Sequence, residues 1–548
     1  MRDERTNATP SAYAYPLLIK QLLHTPLAHA PDQEIVYRGQ HRITYRTLGE
    51  RISRLANALA TLGVQYGTTV GVMDWDSHRY LECYFAVPMM GAVLQTVNVR
   101  LSPAEIAYTI NHAGAEVLLV HTDFLPVVEA IKDELKTVRT FVWIDEEGSD
   151  PVAHTIPFSG DYESMLAASG TRYAFPDFDE NTRATTFYTT GTTGLPKGVY
   201  FSHRQLVLHT ITAMAALASP ESGQRVHRGD VYMPITPMFH VHAWGMPYVA
   251  TVMGLKQVYP GRYVPDRLVK LIRDEGVTYS HCVGTILHML LNCPDAQSVD
   301  FSKWKVVIGG SALTQGLASA ARARGIDIFA GYGMSETGPL LTLAQIMPGC
   351  EPRDADEDVR LRCKTGLPVP LVELRIVDEE MNDLPHDGKA CGEVVVRAPW
   401  LTQGYLNNPE ASDQLWEGGY LHTQDIASID STGYVQITDR IKDVIKSGGE
   451  WVSSLEIENL ISRHPGVSEV AVIGIKDEKW GERPVALVVL KAGAEAVTEE
   501  AIRQHVLAFS ETGQISKYAV PQRVKFVDAL EKTSVGKLNK KWMREQLA

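Results

Sequence analysis

A glycine- and threonine-rich segment, residues 188–198 (YTTGTTGLPKG), constrains the fold of this chain more than any other. The β-branched and aromatic residues 185–188 predict a strand before it, and Ser202 with Gln205 after it forms the capping-box pattern of a helix start. A strand, a glycine loop and a capped helix expose backbone N–H groups and hydroxyls that can surround phosphate oxygens. Lys197 adds a mobile cation. A surface turn is the alternative interpretation, because glycine and proline also mark turns.

The segment departs from the Walker A pattern of P-loop proteins. That pattern is G-x-x-x-x-G-K-[ST], whereas Pro196 stands five residues after Gly191 and Gly198 follows Lys197. The sequence therefore disfavours a P-loop NTPase or kinase while keeping a phosphate-binding loop.

Composition limits the classes of partner and of site that we expect for this chain. A net charge of -13 over 548 residues argues against nucleic acid, and six cysteines without a CxxC pair indicate neither a disulfide framework nor a zinc site. The first residues lack the apolar core of a signal peptide. The longest uncharged run, residues 83–99, is interrupted by Pro88 and Gly91 and predicts a buried helix and strand, not a transmembrane segment. We expect a cytoplasmic protein, with peripheral membrane contact and a homodimer left open.

Helical and strand-like segments alternate along the first part of the chain. Residues 48–62 carry apolar side chains at spacings of three and four, which predicts an amphipathic helix. Residues 69–74 and 116–121 are short apolar runs typical of buried strands. Strands separated by helices predict parallel βαβ layers, and hence an α/β fold.

Further motifs lie downstream. Residues 328–340 (IFAGYGMSETGPL) place Glu336 between two hydroxyls, and a carboxylate beside triphosphate oxygens makes physical sense through a bridging Mg²⁺. In residues 416–427 (WEGGYLHTQDIA), Asp425 is expected at the end of a polar turn, where it can accept ribose hydroxyls. Residues 533–537 (TSVGK) place Lys537 behind a small-residue loop.

In this order, the motifs resemble those of the adenylate-forming superfamily, and within it the medium- and long-chain fatty acyl-CoA synthetases. The resemblance covers residues 30–548. It implies a large multi-lobed N-terminal domain of mixed and parallel sheets flanked by helices (residues 1–439), a hinge (440–442) and a small mobile α+β C-terminal domain (443–548).

The resemblance also implies an activity. A carboxylic acid reacts with ATP to give an acyl-adenylate and pyrophosphate, and CoA then displaces AMP to give an acyl-CoA. ATP, Mg²⁺ and CoA are the implied cofactor and co-substrates. The alternatives are an aromatic or branched acid, a carrier protein as the thiol, and a nucleotide-binding regulator without catalysis, which the presence of Lys537 and Glu336 disfavours.

Roles for individual residues follow from the resemblance. The catalytic group is Lys537, Glu336, Thr337, Lys442 and Arg440, with Thr337 at the α-phosphate and Lys442 at the hinge. The metal is assigned to Glu336 and Thr192. The nucleotide is assigned to Thr189, Thr190, Gly191, Thr192, Thr193, Gly194, Lys197, Gly310, Ser311, Tyr332, Thr337, Asp425 and Arg440. The loop used for thioester formation is represented by Gly448, Gly449 and Trp451.

The acyl group is assigned to His240, Trp244, Gly245, Gly309 and Gly333. His240 lies in a P-x-F-H motif after which an apolar helix is expected to begin, although a core or capping histidine is the usual case. Trp244 borders the fatty-acid tunnel in the resembled enzymes, and ordinary core packing is the alternative. The segment 98–101 (NVRL) resembles a turn of the same family, for which we expect a structural role.

Overall fold

The computed structural model describes residues 8–146, 153–189, 195–221, 223–447, 450–512, 514–533 and 536–547. In chain order, the strands are β1 Glu34–Tyr37, β2 His41–Thr44, β3 Thr69–Met73, β4 Val93–Thr96, β5 Ala115–His121, β6 Thr140–Ile144, β7 Phe158–Asp161, β8 Arg183–Tyr188, β9 Gly198–Ser202, β10 Val231–Pro234, β11 Lys256–Tyr259, β12 Tyr279–Cys282, β13 Lys305–Ile308, β14 Asp327–Gly333, β15 Leu340–Leu343, β16 Leu367–Pro368, β17 Glu373–Val377, β18 Gly392–Arg397, β19 Leu421–Ile429, β20 Val435–Arg440, β21 Ile445–Ser447, β22 Glu450–Val452, β23 Val467–Asp477, β24 Gly481–Leu490 and β25 Arg523–Phe526.

The helices, in the same order, are α1 His24–His29, α2 Tyr45–Thr61, α3 His78–Met89, α4 Pro103–Ala113, α5 Leu125–Ile131, α6 Tyr162–Ala168, α7 His203–Ala218, α8 Val241–Trp244, α9 Met246–Met253, α10 Pro265–Glu275, α11 Gly284–Leu291, α12 Gln315–Ala323, α13 Ala355–Arg362, α14 Pro409–Leu415, α15 Ser454–Ser462, α16 Glu499–Glu511 and α17 Lys540–Leu547. Each helix within the described ranges is too short or too polar to cross a membrane.

Two large sheets form the body of the N-terminal part. One has seven strands in the order β7-β6-β5-β3-β4-β8-β9, and all of its pairs are parallel except β8 with β9. The other has nine strands in the order β16-β15-β14-β13-β12-β10-β11-β1-β2, with a parallel centre and antiparallel edges. The predicted parallel βαβ layers are therefore confirmed.

Local sequence explains where the elements begin. The expected amphipathic helix is α2, whose start is capped by the Thr44 side chain and whose Leu48, Ile52 and Leu55 are buried. The capping box predicted at Ser202 is present at the start of α7, with reciprocal hydrogen bonds to Gln205. The uncharged run 83–99 forms the buried end of α3 and strand β4.

The remaining strands form two smaller sheets. One is antiparallel, in the order β17-β18-β19-β20, and the other joins β22, β21, β24, β23 and β25. The second sheet packs α15 and α16 on one hydrophobic core and α17 on another, both made of residues beyond 444. The predicted α/β class with a smaller C-terminal domain is confirmed, while the boundary at 440–442 stays a prediction.

Two local expectations were wrong. Asp425 does not end a polar turn but lies inside β19, paired with Arg440 of β20. The chain after His240 does not enter a right-handed helix directly, because Val241 and the next three residues have positive φ and the helix α9 begins at Met246. Both errors arose where tertiary contacts override the local pattern.

A buried ion pair fixes the amino ends of three central strands. The Lys305 ammonium donates to both carboxylate oxygens of Asp230 at 2.6 and 2.7 Å and to the Arg225 carbonyl at 2.7 Å. Thr278 donates to the same carboxylate at 2.7 Å. Asp230 and Lys305 are 3% and 8% exposed.

We expect Asp230→Ala to lower the free energy of unfolding by about 3 to 5 kcal/mol, because it leaves a buried ammonium without its charge partner. The measurement is the midpoint of urea denaturation. Asp274→Ala, which removes the partner of an exposed lysine on α10, should cost less than about 1 kcal/mol. Equal losses for the two variants would contradict the role given to burial.

Candidate active site

The candidate site lies where the carboxyl ends of the two large parallel sheets face each other. In open α/β sheets, ligands bind outside these ends, at points where the strand order reverses. Strand β10 lies between β11 and β12, and its end leads to Pro237 and His240. The end of β13 leads to Gly309 and Gly310, and the end of β14 to the segment around Glu336. The main cavity here, counted together with the open solvent at its mouth, encloses about 620 Å³ of empty space.

Side chains from strand β4, helix α3 and the segment after β3 hold the P-M-F-H segment that follows β10. The Asp76 carboxylate accepts a hydrogen bond from the Met238 backbone N–H at 2.8 Å. The Tyr84 hydroxyl donates to the Met238 carbonyl, and the Thr96 hydroxyl donates to the Phe239 carbonyl at 2.9 Å. Burial raises the pKa of Asp76 to about 7. No local sequence pattern indicated these contacts, because they join residues about 150 positions apart.

A left-handed turn carries Trp244 into the cavity. Val241, His242, Ala243 and Trp244 have φ values of 47°, 53°, 46° and 59°, and Gly245 continues at 72°. Non-glycine residues avoid this region at a cost of about 1 to 2 kcal/mol each. Backbone strain of this kind persists only where the surrounding packing imposes it, and it is concentrated at functional sites.

Glycines make room for this turn and for the cavity. A side chain at Gly309 would place its Cβ 2.9 Å from the indole of Trp244, and one at Gly245 would lie 2.7 Å from the His209 ring. At Gly333 a Cβ would lie 1.7 Å from the Pro339 carbonyl oxygen. Of the residues assigned to the acyl group, His240, Trp244, Gly309 and Gly333 line the main cavity, and Gly245 lies beside it.

His240 lies at the junction of two cavities. Besides the main cavity it lines a second one of about 350 Å³, open solvent included. This second cavity shares Trp244, Gly310 and Lys537 with the first and extends to Arg100 and Tyr263. Burial, aided by the nearby charges of Lys537 and Arg100, lowers the pKa of His240 to about 3. The imidazole is therefore neutral at physiological pH. Arg100, for which only a structural role was expected, lies at the wall of a cavity.

Lys537 reaches this site from the C-terminal part of the chain. Its Cε lies 3.0 Å from the position that a Cβ on Gly310 would take. Its loop is closed by a hydrogen bond from the Thr533 N–H to the Lys537 carbonyl at 2.7 Å, and Thr285 donates to the Gly536 carbonyl at 3.0 Å. Burial and the charge of Arg440 lower the pKa of Lys537 to about 8, with Asp425 and Glu336 acting in the opposite direction.

Tyr332, Asp425 and Arg440 form one polar group beside the cavity. The Tyr332 hydroxyl donates to Asp425 Oδ2 at 2.7 Å, and Arg440 Nε donates to Asp425 Oδ1 at 3.2 Å. Asp425 is buried, whereas Arg440 is exposed. Burial, followed by the Asp425 charge, raises the pKa of Tyr332 well above its usual value, so that the hydroxyl stays a donor.

Glu336 and Lys197 are brought together by a residue without an expected role. The Tyr405 hydroxyl donates to Glu336 Oε1 at 2.7 Å, and the Lys197 ammonium lies 4.6 Å from the centre of the Tyr405 ring. Glu336 is 7% exposed. The sequence contained Tyr405 after a glycine, but no pattern there indicated its contacts.

The remaining assigned residues with described side chains lie at the glycine loop, in the segment around Glu336, after β13 and after β20. The Thr189 N–H donates to the Lys197 carbonyl at 2.9 Å, which closes the base of the glycine loop. The Thr337 hydroxyl is buried and bonded to Met334 and Pro339, Ser311 is exposed, and Lys442 lies in an exposed turn. The phosphate, metal and hinge roles stay predictions. Outside the described residues lie Thr190, Gly191, Thr192, Thr193, Gly194, Gly448, Gly449 and the side chain of Trp451.

Comparison with known proteins decides the family. A family model described as "AMP-binding enzyme" matches residues 23–406, and one described as "AMP-binding enzyme C-terminal domain" matches residues 456–537. The chain belongs to the AMP-binding enzyme family. The resemblance inferred from the ordered motifs is thereby confirmed, and the lobe that carries Lys537 corresponds to the family's C-terminal domain.

Several characterised members of the AMP-binding enzyme family resemble the chain along its whole length. It is 42% identical to a long-chain-fatty-acid–CoA ligase of Thermus thermophilus over 100% of this chain and 98% of that protein. It is 38% identical to a 3-methylmercaptopropionyl-CoA ligase of Ruegeria lacuscaerulensis, covering 97% of each. The crystal structure of the anthranilate CoA ligase AuaEII with anthranoyl-AMP has a TM-score of 0.85 and 26% identity, covering 97% of this chain and 98% of that one.

The pKa of Lys537 generates a pH prediction for this AMP-binding enzyme. Because the folded-state pKa is about 8, the ammonium is present below pH 8 and is lost as pH rises through that value. If the ammonium contacts the nucleotide, kcat/KM for ATP should fall about tenfold per pH unit above pH 8.

Two variants separate Lys537 from other basic groups. Lys537→Arg stays charged, so its kcat/KM should not fall above pH 8, although its absolute rate should be lower. Lys532→Arg changes a lysine of the same loop that pairs with Glu469, and it should keep the wild-type profile. If kcat/KM of Lys537→Arg still fell above pH 8 as in the wild type, Lys537 would be excluded as the group that titrates.

Proposed function

We propose that the chain is an ATP-dependent acid–thiol ligase that converts a medium- to long-chain fatty acid into its acyl-CoA through an acyl-adenylate, releasing AMP and pyrophosphate. One observation carries the proposal. Lys537, from the C-terminal part of the chain, lies in a cavity formed by His240, Trp244 and Gly310 of the N-terminal part. The Lys537 ammonium thus lies at a largely apolar cavity, here called the acyl tunnel, at the carboxyl ends of the parallel strands.

The first half-reaction is limited by charge repulsion. A carboxylate oxygen attacks the α-phosphorus of ATP, an acyl–phosphate bond forms, and the bond to pyrophosphate breaks. Two anions must approach each other, so positive charge fixed in advance lowers the barrier. Lys537 supplies it on the side of the acid, and Lys197 supplies it near the glycine loop.

The nucleoside side of the site has matching groups. The buried Asp425 carboxylate can accept the ribose hydroxyls, and Arg440 holds it in place. The half-buried ring of Tyr332 offers a face on which adenine can stack, and its hydroxyl is anchored on Asp425.

A Mg²⁺ ion fits beside Glu336. Among the described residues no group of three or more His, Cys, Asp or Glu could hold a metal alone. Mg²⁺ in nucleotide enzymes commonly takes one or two carboxylates together with phosphate oxygens and water, and Glu336 provides such a carboxylate. When bound, the ion would neutralise phosphate charge. Thr192, assigned to the same metal, lies outside the described residues.

The second half-reaction needs access for a thiol. The CoA sulfur attacks the adenylate carbonyl, and the bond to AMP breaks. Lys537 lines the second cavity, so a rotation of residues 443–548 about the segment 440–442 would open it further. Two of the contacts between the lobes are polar, which supports this proposal: the Asn459 side chain accepts from the Gln315 N–H, and Ser468 is hydrogen-bonded to His288.

The fatty acid is favoured over other acids by the apolar walls of the main cavity and by the similarity to the Thermus ligase. An aromatic or branched acid remains the second candidate, since the anthranilate ligase shares the fold. A carrier protein is the alternative thiol.

The decisive assay combines pyrophosphate exchange and AMP release. The purified chain should catalyse acid-dependent ATP–pyrophosphate exchange, and CoA should convert the adenylate to an acyl-CoA with release of AMP. The panel runs from acetate to palmitate and includes cinnamate-type acids. Exchange with aromatic acids alone would replace the fatty acid by the second candidate, and no exchange with any acid would reject the ligase.

The Tyr405–Glu336 contact generates a prediction on metal affinity. Outer-shell hydrogen bonds orient metal-binding carboxylates, and their loss commonly weakens metal binding by 10-fold or more. Tyr405→Phe should therefore raise the Mg²⁺ concentration for half-maximal exchange about tenfold.

A matched control is available in Tyr420. Its hydroxyl donates to Glu373 and the Arg397 guanidinium lies 3.7 Å from its ring centre, yet it is remote from the cavity. Tyr420→Phe should leave the Mg²⁺ dependence unchanged. If the Mg²⁺ concentration for half-maximal exchange rose equally in both variants, the effect of Tyr405 would come from a general loss of stability and not from its bond to Glu336.

A further inference from the structure

We propose that Tyr279, together with Met246, closes the deep end of the acyl tunnel and limits this enzyme to acids of about ten carbons, an inference that rests on the proposed function.

The tunnel runs along one face of the nine-stranded sheet. The strand residues that line it have alternating positions: Tyr279 and His281 on β12, Val307 and Gly309 on and after β13, and Gly331 on β14. Successive residues of a strand point to opposite faces, so residues two apart share a face. The tunnel therefore descends from the carboxyl ends of these strands toward their amino ends.

The strand register gives the depth of the tunnel. Tyr279 pairs with Lys305, and His281 pairs with Val307. The Gly309 N–H bonds to the Cys282 carbonyl, which continues this register to the mouth of the tunnel. From the level of Gly309 to that of Tyr279 there are four residues, or about 13 Å at about 3.3 Å per residue.

The reacting carboxyl group sets the upper end of this span. Lys537 lies against Gly310, so the carboxyl carbon of the acid belongs at the level of Gly309 and Gly310. An extended hydrocarbon advances about 1.3 Å per carbon, given C–C bonds of about 1.5 Å. A span of about 13 Å therefore accepts about ten carbons.

Two side chains from different elements close the lower end. The Tyr279 hydroxyl lies 3.8 Å from the Met246 sulfur, which belongs to α9 on the opposite wall. Both residues line the cavity and are almost fully buried, at 1% and 5% exposure. Methionine fills such gaps readily because its side chain is unbranched and flexible.

A charged layer lies below this closure. Asp230, the partner of Lys305 in the buried ion pair, precedes β10 and lies two residues below the level at which Tyr232 pairs with Tyr279. A longer alkyl chain would have to displace the tyrosine ring and then meet this pair, whose desolvated charges cannot be separated cheaply. The buried ion pair thus adds a second barrier to longer acyl chains.

The test compares kcat/KM for AMP release with CoA across saturated acids of 6 to 16 carbons, in steps of two. The wild-type enzyme should have its maximum near ten carbons. Tyr279→Ala should raise the ratio for 16 carbons over 10 carbons at least tenfold, since added methylenes are then buried. Tyr279→Phe keeps the ring and should keep the wild-type profile.

Two further variants act independently of Tyr279. Met246→Ala should also shift the profile to longer acids. Ala213→Phe places a ring on α7 inside the tunnel and should shift the profile to shorter acids. These variants decide the question if Tyr279→Ala does not fold.

The outcomes separate this inference from the proposed function. A wild-type enzyme without activity on any fatty acid would reject the proposed function. An active enzyme whose maximum lies at 16 carbons, or whose profile is the same in the Met246→Ala and Ala213→Phe variants, would overturn the tunnel closure alone.

Discussion

The site depends on the contact between two parallel sheets whose carboxyl ends face each other. Each sheet alone offers only loops, but the Asp76 carboxylate of one sheet binds the Met238 N–H of the other. That bond is almost free of solvent competition because Asp76 is 3% exposed, and a hydrogen bond in such low-dielectric surroundings is electrostatically stronger than one in water. It fixes the backbone two residues before His240. The position of the imidazole, and with it the junction of both cavities, therefore follows from how the sheets are joined.

The same joining shapes the electrostatics of the site. Burial makes His240 neutral and brings the pKa of Lys537 to about 8, so one cation and one neutral ring face each other across Gly310. Desolvation that lowers the pKa of an ammonium also makes its charge more effective on an anion that enters the site. The docking of its loop, through contacts such as Thr285 with Gly536, keeps Lys537 half-buried without a direct carboxylate partner among the described residues.

The sequence was informative where a function needs residues close together along the chain. The order of the glycine loop, the segment around Glu336 and the terminal lysine loop predicted the family. Apolar periodicity predicted α2, and short apolar runs predicted β3 and β5. It failed at Tyr405 and Asp76, whose partners are 69 and 162 positions away. It also placed Asp425 in a turn, since the polar residues before it concealed a strand that pairs with β20. Contacts set by tertiary packing leave no local pattern.

In the left-handed turn from Val241 to Trp244, the placement of a side chain in the site outweighs the strain of the backbone. Four non-glycine residues in this region cost about 4 to 8 kcal/mol at about 1 to 2 kcal/mol each. The fold offsets that cost by packing: the side chains of Val241 and Ala243 are 2% and 0% exposed, in the same apolar core as Phe187 and Phe201. A right-handed start of α9 would avoid the strain but would carry the indole of Trp244 away from Gly309. The strain is explained by the need to bring an aromatic wall against the tunnel at Gly309, where a Cβ would lie 2.9 Å from the indole.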